Sequence, residues 1–225
     1  MCDLLKTVTL SIMIGTFLIG TYYVLAASYL PPVPENKLVS ALNNMQANLT
    51  YEKFISMNEN ERMALVQQMP SNTIRMLLEE AQNHPSYISE DMDKIKLESN
   101  SNDIRFTKLT QITGVKGYAG SGTASVVYAG NMAFLRLEDF SVTSGIDQRL
   151  YLTKDGTTAS GIDQRLYMTK DGITASGIDL GPLKASIGNQ NYDITGINTD
   201  AYNVMIIYSK TFDTYYAYTK FLKTE

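Results

Sequence analysis

The sequence has one cysteine, one histidine and little excess charge, and each scarcity excludes a class of function. Cys2 has no second cysteine to join, so the chain forms no intramolecular disulfide. His84 alone cannot supply the imidazoles of a His-based zinc site or a bis-His haem. A Ser-His-Asp triad has no histidine available in the later part of the chain. These absences remove most common hydrolase and metalloenzyme mechanisms; we identify no cofactor and predict no metal site.

The net charge of −4 over 225 residues is unevenly distributed. Residues 32–103 carry a net charge of −5, whereas residues 104–225 carry +1. Proteins that bind nucleic acid neutralise backbone phosphates with a basic excess, which neither part has. We therefore expect no nucleic-acid partner.

The first 34 residues contain a long apolar run. No charge occurs between Lys6 and Glu35, and the run from Val8 to Leu30 covers 23 residues. A helix rises about 1.5 Å per residue, so this run can cross a bilayer core of roughly 30 Å. We predict a transmembrane signal-anchor, with a cleaved signal peptide as the alternative because small residues occupy positions 26–28. In either case the C-terminal part is expected outside the cytoplasm, anchored or secreted.

Residues 35–95 form an acidic segment with helical spacing of apolar residues, as in KLVSALNNMQA. Thr50 and Asn58 are predicted as N-caps of short helices. Asn48 begins an Asn-Leu-Thr sequon and is a possible glycosylation site on an exported face. The polar stretch 96–104 is predicted to be a linker.

After the linker the pattern changes to strands and turns over residues 105–223. Alternating polar and apolar residues and regularly placed glycines predict many short strands, hence an antiparallel β-sandwich or a barrel-like domain. The first two strands are expected to form a hairpin around Gly130. The predicted strands include Ser121–Tyr128, Met132–Phe140, Gln148–Thr153, Val204–Tyr208 and Thr214–Phe221.

Three blocks of this segment carry a family resemblance: GSGTASVVYAGNMAFLRLEDF, IDLGPLKASIGNQNYDI and AYNVMIIYSKTF. In this order, over about residues 105–222, they resemble the DM-thirteen domain, also called the electron-transfer DM domain. The resemblance implies an extracellular or membrane-tethered protein, since members occur beside DOMON and cytochrome b-type modules. It also implies an electron-transfer role.

The family's redox cysteine matches Ser209 here, in the stretch Ile207-Tyr208-Ser209. A serine cannot form a thiolate, a sulfenic acid or a disulfide. The substitution therefore speaks against thiol-based redox chemistry in this chain.

Two further groups of polar residues are candidate sites. The first is a ligand loop formed by Lys184, Asn189, Gln190, Asn191 and Tyr192. Its side chains can bind a small ligand or glycan, or they can hold the loop's own backbone. The second group comprises the turn carboxylates Asp147, Asp163 and Asp179. They are predicted to support tight turns, because calcium needs six to eight oxygen ligands and no Asp-x-Asp-x-Asp-Gly loop is present.

Residues 144–159 and 160–175 are tandem copies of one 16-residue unit. Sixteen is even, so moving a strand by one unit keeps each side chain on its original face of the sheet. Two copies are too few for a solenoid, which needs at least three. We predict a tolerated duplication, seen as an extra strand or a protruding hairpin, with either copy able to occupy the sheet.

The sequence thus predicts a mainly β protein, with a transmembrane helix and a short helical segment before a DM-thirteen-like domain. The function it favours is a non-enzymatic, membrane-anchored cell-surface module that binds a surface protein or glycan. The alternative is an extracytoplasmic electron-transfer domain.

Overall fold

The computed structural model describes residues 36–115, 117–153 and 177–222, and also Thr16, Ile19 and Thr21, which are helical. In the described residues the helices are α1 Lys37–Met45, α2 Tyr51–Ser56, α3 Glu59–Val66, α4 Ser71–Gln82 and α5 Met92–Ser99. The strands are β1 Ile104–Gln111, β2 Thr113–Gly114, β3 Gly120–Ala129, β4 Met132–Val142, β5 Gln148–Thr153, β6 Ile178–Pro182, β7 Gln190–Asp193, β8 Val204–Ser209 and β9 Thr214–Lys220.

The N-terminal anchor prediction falls almost entirely outside the described residues. Within the described part of the chain, no helix combines the length and the apolar character that a membrane crossing requires.

The short helices begin where side chains satisfy their first backbone N–H groups. Thr50 accepts a hydrogen bond from the amide of Lys53, as predicted. Asn58 and Glu61 form a complete capping box at the start of α3. The helices pack through apolar side chains, and the best buried of them are Leu42, Phe54 and Leu77.

The linker expected at 96–104 is wrong over its first half, because α5 continues to Ser99. Asp91 caps this helix by accepting from the amide of Lys94. Ile95, fully buried, packs on Val127 and Phe134 of the β domain. Tertiary packing therefore orders a polar stretch whose sequence looks like a connection.

The nine strands form two open antiparallel sheets rather than a closed barrel. Sheet A has the order β1-β3-β4-β7, and sheet B has the order β2-β9-β8-β5-β6. The predicted hairpin is confirmed, since β3 and β4 pair down to Ala129 and Met132 on either side of the Gly130 turn. The strands predicted near Val204 and Thr214 are also confirmed, as β8 and β9.

The two sheets share one apolar core. Sheet A contributes residues such as Val126 and Leu135, and sheet B contributes Leu150 and Ile207. On the outer side of sheet B lies a second cluster that contains Tyr208. Ile207 and Tyr208 thus face opposite sides of sheet B, because successive side chains of a strand point to opposite faces.

The first copy of the repeated unit supplies β5, which lies between β8 and β6 in sheet B. Leu150 pairs with Ile207 of β8 in this register. The second copy, 160–175, lies outside the described residues.

Candidate functional site

Ser209, which the family resemblance aligns with a redox cysteine, is in the interior of the molecule. It closes β8, where it pairs with Gln148 on one side and Thr214 on the other. Its residue is 0% exposed, and its Oγ has no hydrogen-bond partner in the described part of the chain. The position is thus a core position that neither solvent nor an electron-transfer partner reaches directly.

The candidate ligand loop is partly a strand, which corrects the loop prediction. Gln190–Asp193 forms β7 and pairs with β4 at the edge of sheet A. The Gln190 amide donates to the carbonyl of Ala185 at 2.7 Å, and the Tyr192 hydroxyl donates to Gln190 Oε1 at 2.7 Å. Burial raises the pKa of Tyr192, although the hydrogen bond from the Lys184 amide opposes this effect.

The remaining side chains of this group also bond within the chain. Asn189 Oδ1 accepts from the backbone amide of Asp139 at 3.0 Å. The ammonium of Lys184 lies 5.0 Å from the ring centre of Tyr192. The structure therefore brings all five predicted residues together, with their polar atoms serving contacts inside the molecule.

The centre of these contacts is a glutamate that the sequence did not mark. Glu90 is 8% exposed, and its carboxylate lies 2.8 Å and 3.0 Å from the ammonium of Lys184. It also accepts from the Asn191 backbone amide at 2.7 Å and pairs with Lys94. Burial alone would raise the pKa of Glu90, but the hydrogen bonds from Lys184, Lys94 and Asn191 outweigh it and hold that pKa below its usual value.

Arg136 of β4 completes the cluster and was also missed. It is 3% exposed, and it donates to Asn191 Oδ1 at 2.8 Å and to the Glu90 carbonyl at 3.2 Å. Its partner on the other side is Glu138, at 2.9 Å. A charged residue in the middle of an alternating strand is the sequence signal that could have identified it.

Glu90 belongs to a short extended segment, Ser86–Asp91, which we call the strap. The strap connects α4 to α5 and runs parallel to residues 186–189. The amide of Ile88 donates to the Ile187 carbonyl at 3.1 Å, and the amide of Ile187 donates to the Ser86 carbonyl at 3.0 Å. We call the surface that receives it, residues 184–191 with Arg136, the groove.

The turn carboxylates have separate partners. Asp147 accepts from Arg62 of α3 at 2.5 Å and 2.8 Å, and from the Thr211 hydroxyl at 2.7 Å. Asp179 lies within β6, opposite Tyr151 of β5, so the turn prediction is wrong at this position. Its carboxylate pairs with Arg149 at 2.8 Å and accepts from the Gly181 amide at 2.8 Å. Asp163 lies outside the described residues.

The sequon residue Asn48 is on an exposed turn with a φ of 61°. Asparagine tolerates this left-handed conformation better than most residues. Glycosylation at Asn48 stays a prediction.

A cleft of about 540 Å³ separates the helical segment from the connection between β4 and β5. On one side, the rings of Tyr51 and His84 stack with their centres 5.0 Å apart. The other side includes Gly145 and Asp147, and the ion pair between Arg62 and Asp147 joins both sides.

A buried hydroxyl lies directly behind the cleft. A Cβ atom added to Gly145 would lie 2.3 Å from the Tyr216 hydroxyl oxygen. Tyr216 is 0% exposed, and its hydroxyl has no hydrogen-bond partner among the described residues. Burial, with smaller contributions from Tyr118, Asp147 and Tyr51, raises the pKa of Tyr216. The hydroxyl therefore remains protonated at neutral pH.

Two open antiparallel sheets over one core define a two-sheet β domain, and a helical segment is bonded to its edge. A family model described as electron transfer DM13 matches residues 112–221. This segment of the chain is therefore a DM13 domain, which confirms the resemblance to the DM-thirteen domain. No curated protein and no solved structure matches the chain.

Proposed function

We propose that the chain is a non-enzymatic binding module of the DM13 type that presents its β domain outside the cytoplasm on an N-terminal membrane anchor. Its ligand is a surface protein or a glycan. The observation that carries this proposal is the open cleft between the helical segment and the β domain, with the stacked Tyr51 and His84 rings on its wall.

The chemistry of the cleft favours a neutral polar ligand such as a sugar. Aromatic rings offer apolar faces on which sugar rings pack, and Glu52 and Ser144 add polar groups at the rim. The charges of Arg62 and Asp147 are paired with each other at 2.5 Å, which leaves Glu52 as the remaining carboxylate of the cleft lining. Ligand sites in general combine such apolar walls with a few polar groups.

A direct test measures binding of the full chain, in mild detergent, to an immobilised panel of neutral oligosaccharides. We expect Tyr51→Ala to weaken binding by at least about tenfold, a loss of about 1.4 kcal/mol. Phe106→Ala is the matched control, because Phe106 is an exposed aromatic residue on β1, outside the cleft lining. If the wild-type chain binds no sugar, or if both variants bind equally well, the cleft is not a glycan site.

The second candidate function is electron transfer, which the family description favours. Against it stands Ser209, which lacks the thiol and is buried. Voltammetry of the full chain from its native membrane discriminates the two functions. A reversible wave between about −0.4 and +0.4 V, the span of iron–sulfur and related centres, would support the redox function and overturn the proposal.

A cysteine variant sharpens this test. Ser209→Cys in a Cys2→Ser background gives a chain whose single thiol is at position 209, which the resemblance aligns with the family's cysteine. Because the position is 0% exposed, we expect the thiol to resist a thiol reagent until the chain unfolds. Rapid labelling of the folded variant would contradict this expectation and reopen the redox function.

A further inference from the structure

The strap contacts the groove as a bound peptide contacts its receptor. Three backbone hydrogen bonds join them, and the last runs from the Glu90 amide to the Asn189 carbonyl at 2.9 Å. The addition of an extended segment to a sheet edge is a common mode of peptide recognition, in which backbone bonds give affinity and side-chain pockets give specificity.

The groove accommodates the backbone of the strap at one position and an acidic side chain of the strap at another. Gly188 has a φ of 107°, and a Cβ atom placed on it would lie 1.8 Å from the carbonyl oxygen of Ile88. Only glycine therefore lets the strap approach this closely. Two residues after Ile88, the carboxylate of Glu90 enters a pocket formed by the ammonium of Lys184 and the backbone amide of Asn191.

The first residue of the strap is recognised as well. The amide of Ser86 donates to Ser186 Oγ at 2.9 Å, and the amide of Ser186 donates to Ser86 Oγ at 3.0 Å. The groove thus binds a serine and, four residues later, a glutamate. This pattern is present once in each copy of the chain, in the sequence SYISED.

Polar contacts rather than apolar burial hold the strap in place. Tyr87 is 72% exposed, and Glu90 is the one strap residue that is fully buried. A segment held by hydrogen bonds and one ion pair with the groove separates from its site more easily than one that fills an apolar core.

From these contacts we propose that the groove is a recognition site for an extended acidic peptide, occupied within one chain by its own strap and between chains by the strap of a second copy. Each copy carries both complementary surfaces, so two copies satisfy each other without any new contact. Exchange of an identical element between protomers is a low-cost route to dimers.

Charge-swapped full-length chains test this proposal. In one chain Glu90→Lys adds a third ammonium group beside those of Lys184 and Lys94, and in the other Lys184→Glu places two carboxylates together. Each variant alone is expected to release its strap and remain monomeric. When mixed, the chains restore both ion pairs across the interface, so a one-to-one dimer should form in light scattering after size-exclusion chromatography.

The double variant, with both changes in one chain, is the matched control and should return to a monomer. The proposal is overturned if the two single variants, folded by circular dichroism, fail to form the dimer. It is also overturned if the double variant dimerises as strongly as the mixture.

Where either single variant fails to fold, the proposal is tested instead by adding a synthetic SYISED peptide to the wild-type chain. The peptide should accelerate hydrogen exchange at the Ile88 amide, and a peptide with lysine in place of glutamate should not. Equal exchange with both peptides rejects the groove as a peptide site. The Tyr51→Ala sugar test concerns the cleft, so its failure leaves this result intact.

Discussion

Ser209 and the segment 184–192 are both marked as functional by the sequence, but the structure gives them opposite environments. Ser209 has a polar atom inside the core that finds no partner among the described residues. Segment 184–192 lies at the edge of sheet A, and its candidate side chains all take part in contacts within the chain. The difference teaches that residue type alone does not separate a site that is open to a ligand from one that is already filled.

The two regions also contribute to stability with opposite signs. A buried hydroxyl without a partner loses its hydrogen bonds to water and gains none in return. The Glu90 cluster satisfies its buried charge with two ammonium groups and a backbone amide. Substitutions in the two regions should therefore move the free energy of unfolding in opposite directions.

The largest effect is expected from Glu90→Ala. This change leaves Lys184, Lys94 and the Asn191 amide without the carboxylate that they now share. Removing one partner of a buried ion pair is strongly destabilising, and because Lys184 is partly exposed we expect a loss of about 3 kcal/mol. Denaturant unfolding of the full chain measures it.

Glu98→Ala is the matched control on the neighbouring helix. Glu98 pairs with Lys94 at 4.0 Å, and both side chains are more than 40% exposed. Exposed pairs contribute little, so the change should stay within about 0.5 kcal/mol. Equal losses in the two variants would show that the Glu90 cluster has no special role.

The acid dependence of stability provides a second measurement on the same cluster. The pKa of Glu90 is lowered in the folded chain, so its charged form stabilises the fold above the unfolded value of about 4.3. That contribution is lost as the pH falls from about 4.3 through the lower folded pKa. The stability difference between the wild type and Glu90→Gln should therefore shrink below about pH 4. A difference that is constant with pH would contradict the ionised state.

Local patterns in the sequence are enough to predict the strands with strict alternation and the side-chain caps. The β3–β4 hairpin follows from its turn and its period of two, and Thr50 follows from cap chemistry. The strand β7 could not be predicted, because Gln190–Asp193 is polar. It is buried by β4 on one side and by the strap, about 100 residues earlier, on the other.

Only half of the candidate site could be predicted, because its two parts are far apart in the sequence. The loop that contains Lys184 was found from its cluster of polar side chains, whereas Glu90 lies in an ordinary acidic run with no local sign of burial. Partners at a separation of 94 residues meet only through the tertiary fold. A single sequence gives the chemistry of each half but not their contact.

A pair of serine variants sharpens the comparison at a smaller scale. Ser209→Ala removes a buried hydroxyl without a partner, so we expect the free energy of unfolding to rise by about 1 kcal/mol. Ser186→Ala removes a buried hydroxyl that bonds the strap, so we expect a fall of about 1 kcal/mol. Thermal unfolding of both variants checks the signs. Two losses of similar size would mean that Ser209 has a bonded partner after all.

The smallest effect is expected from deletion of 160–175, the second copy of the repeated unit. The first copy provides β5, which pairs with β8 through six consecutive residues from Gln148 to Thr153. After the deletion the same β5 still precedes β6, and the shorter connection alters loop-closure entropy by no more than about 1 kcal/mol. Denaturant unfolding should therefore give nearly the same midpoint. A loss of several kcal/mol would instead mean that the duplication is part of the fold.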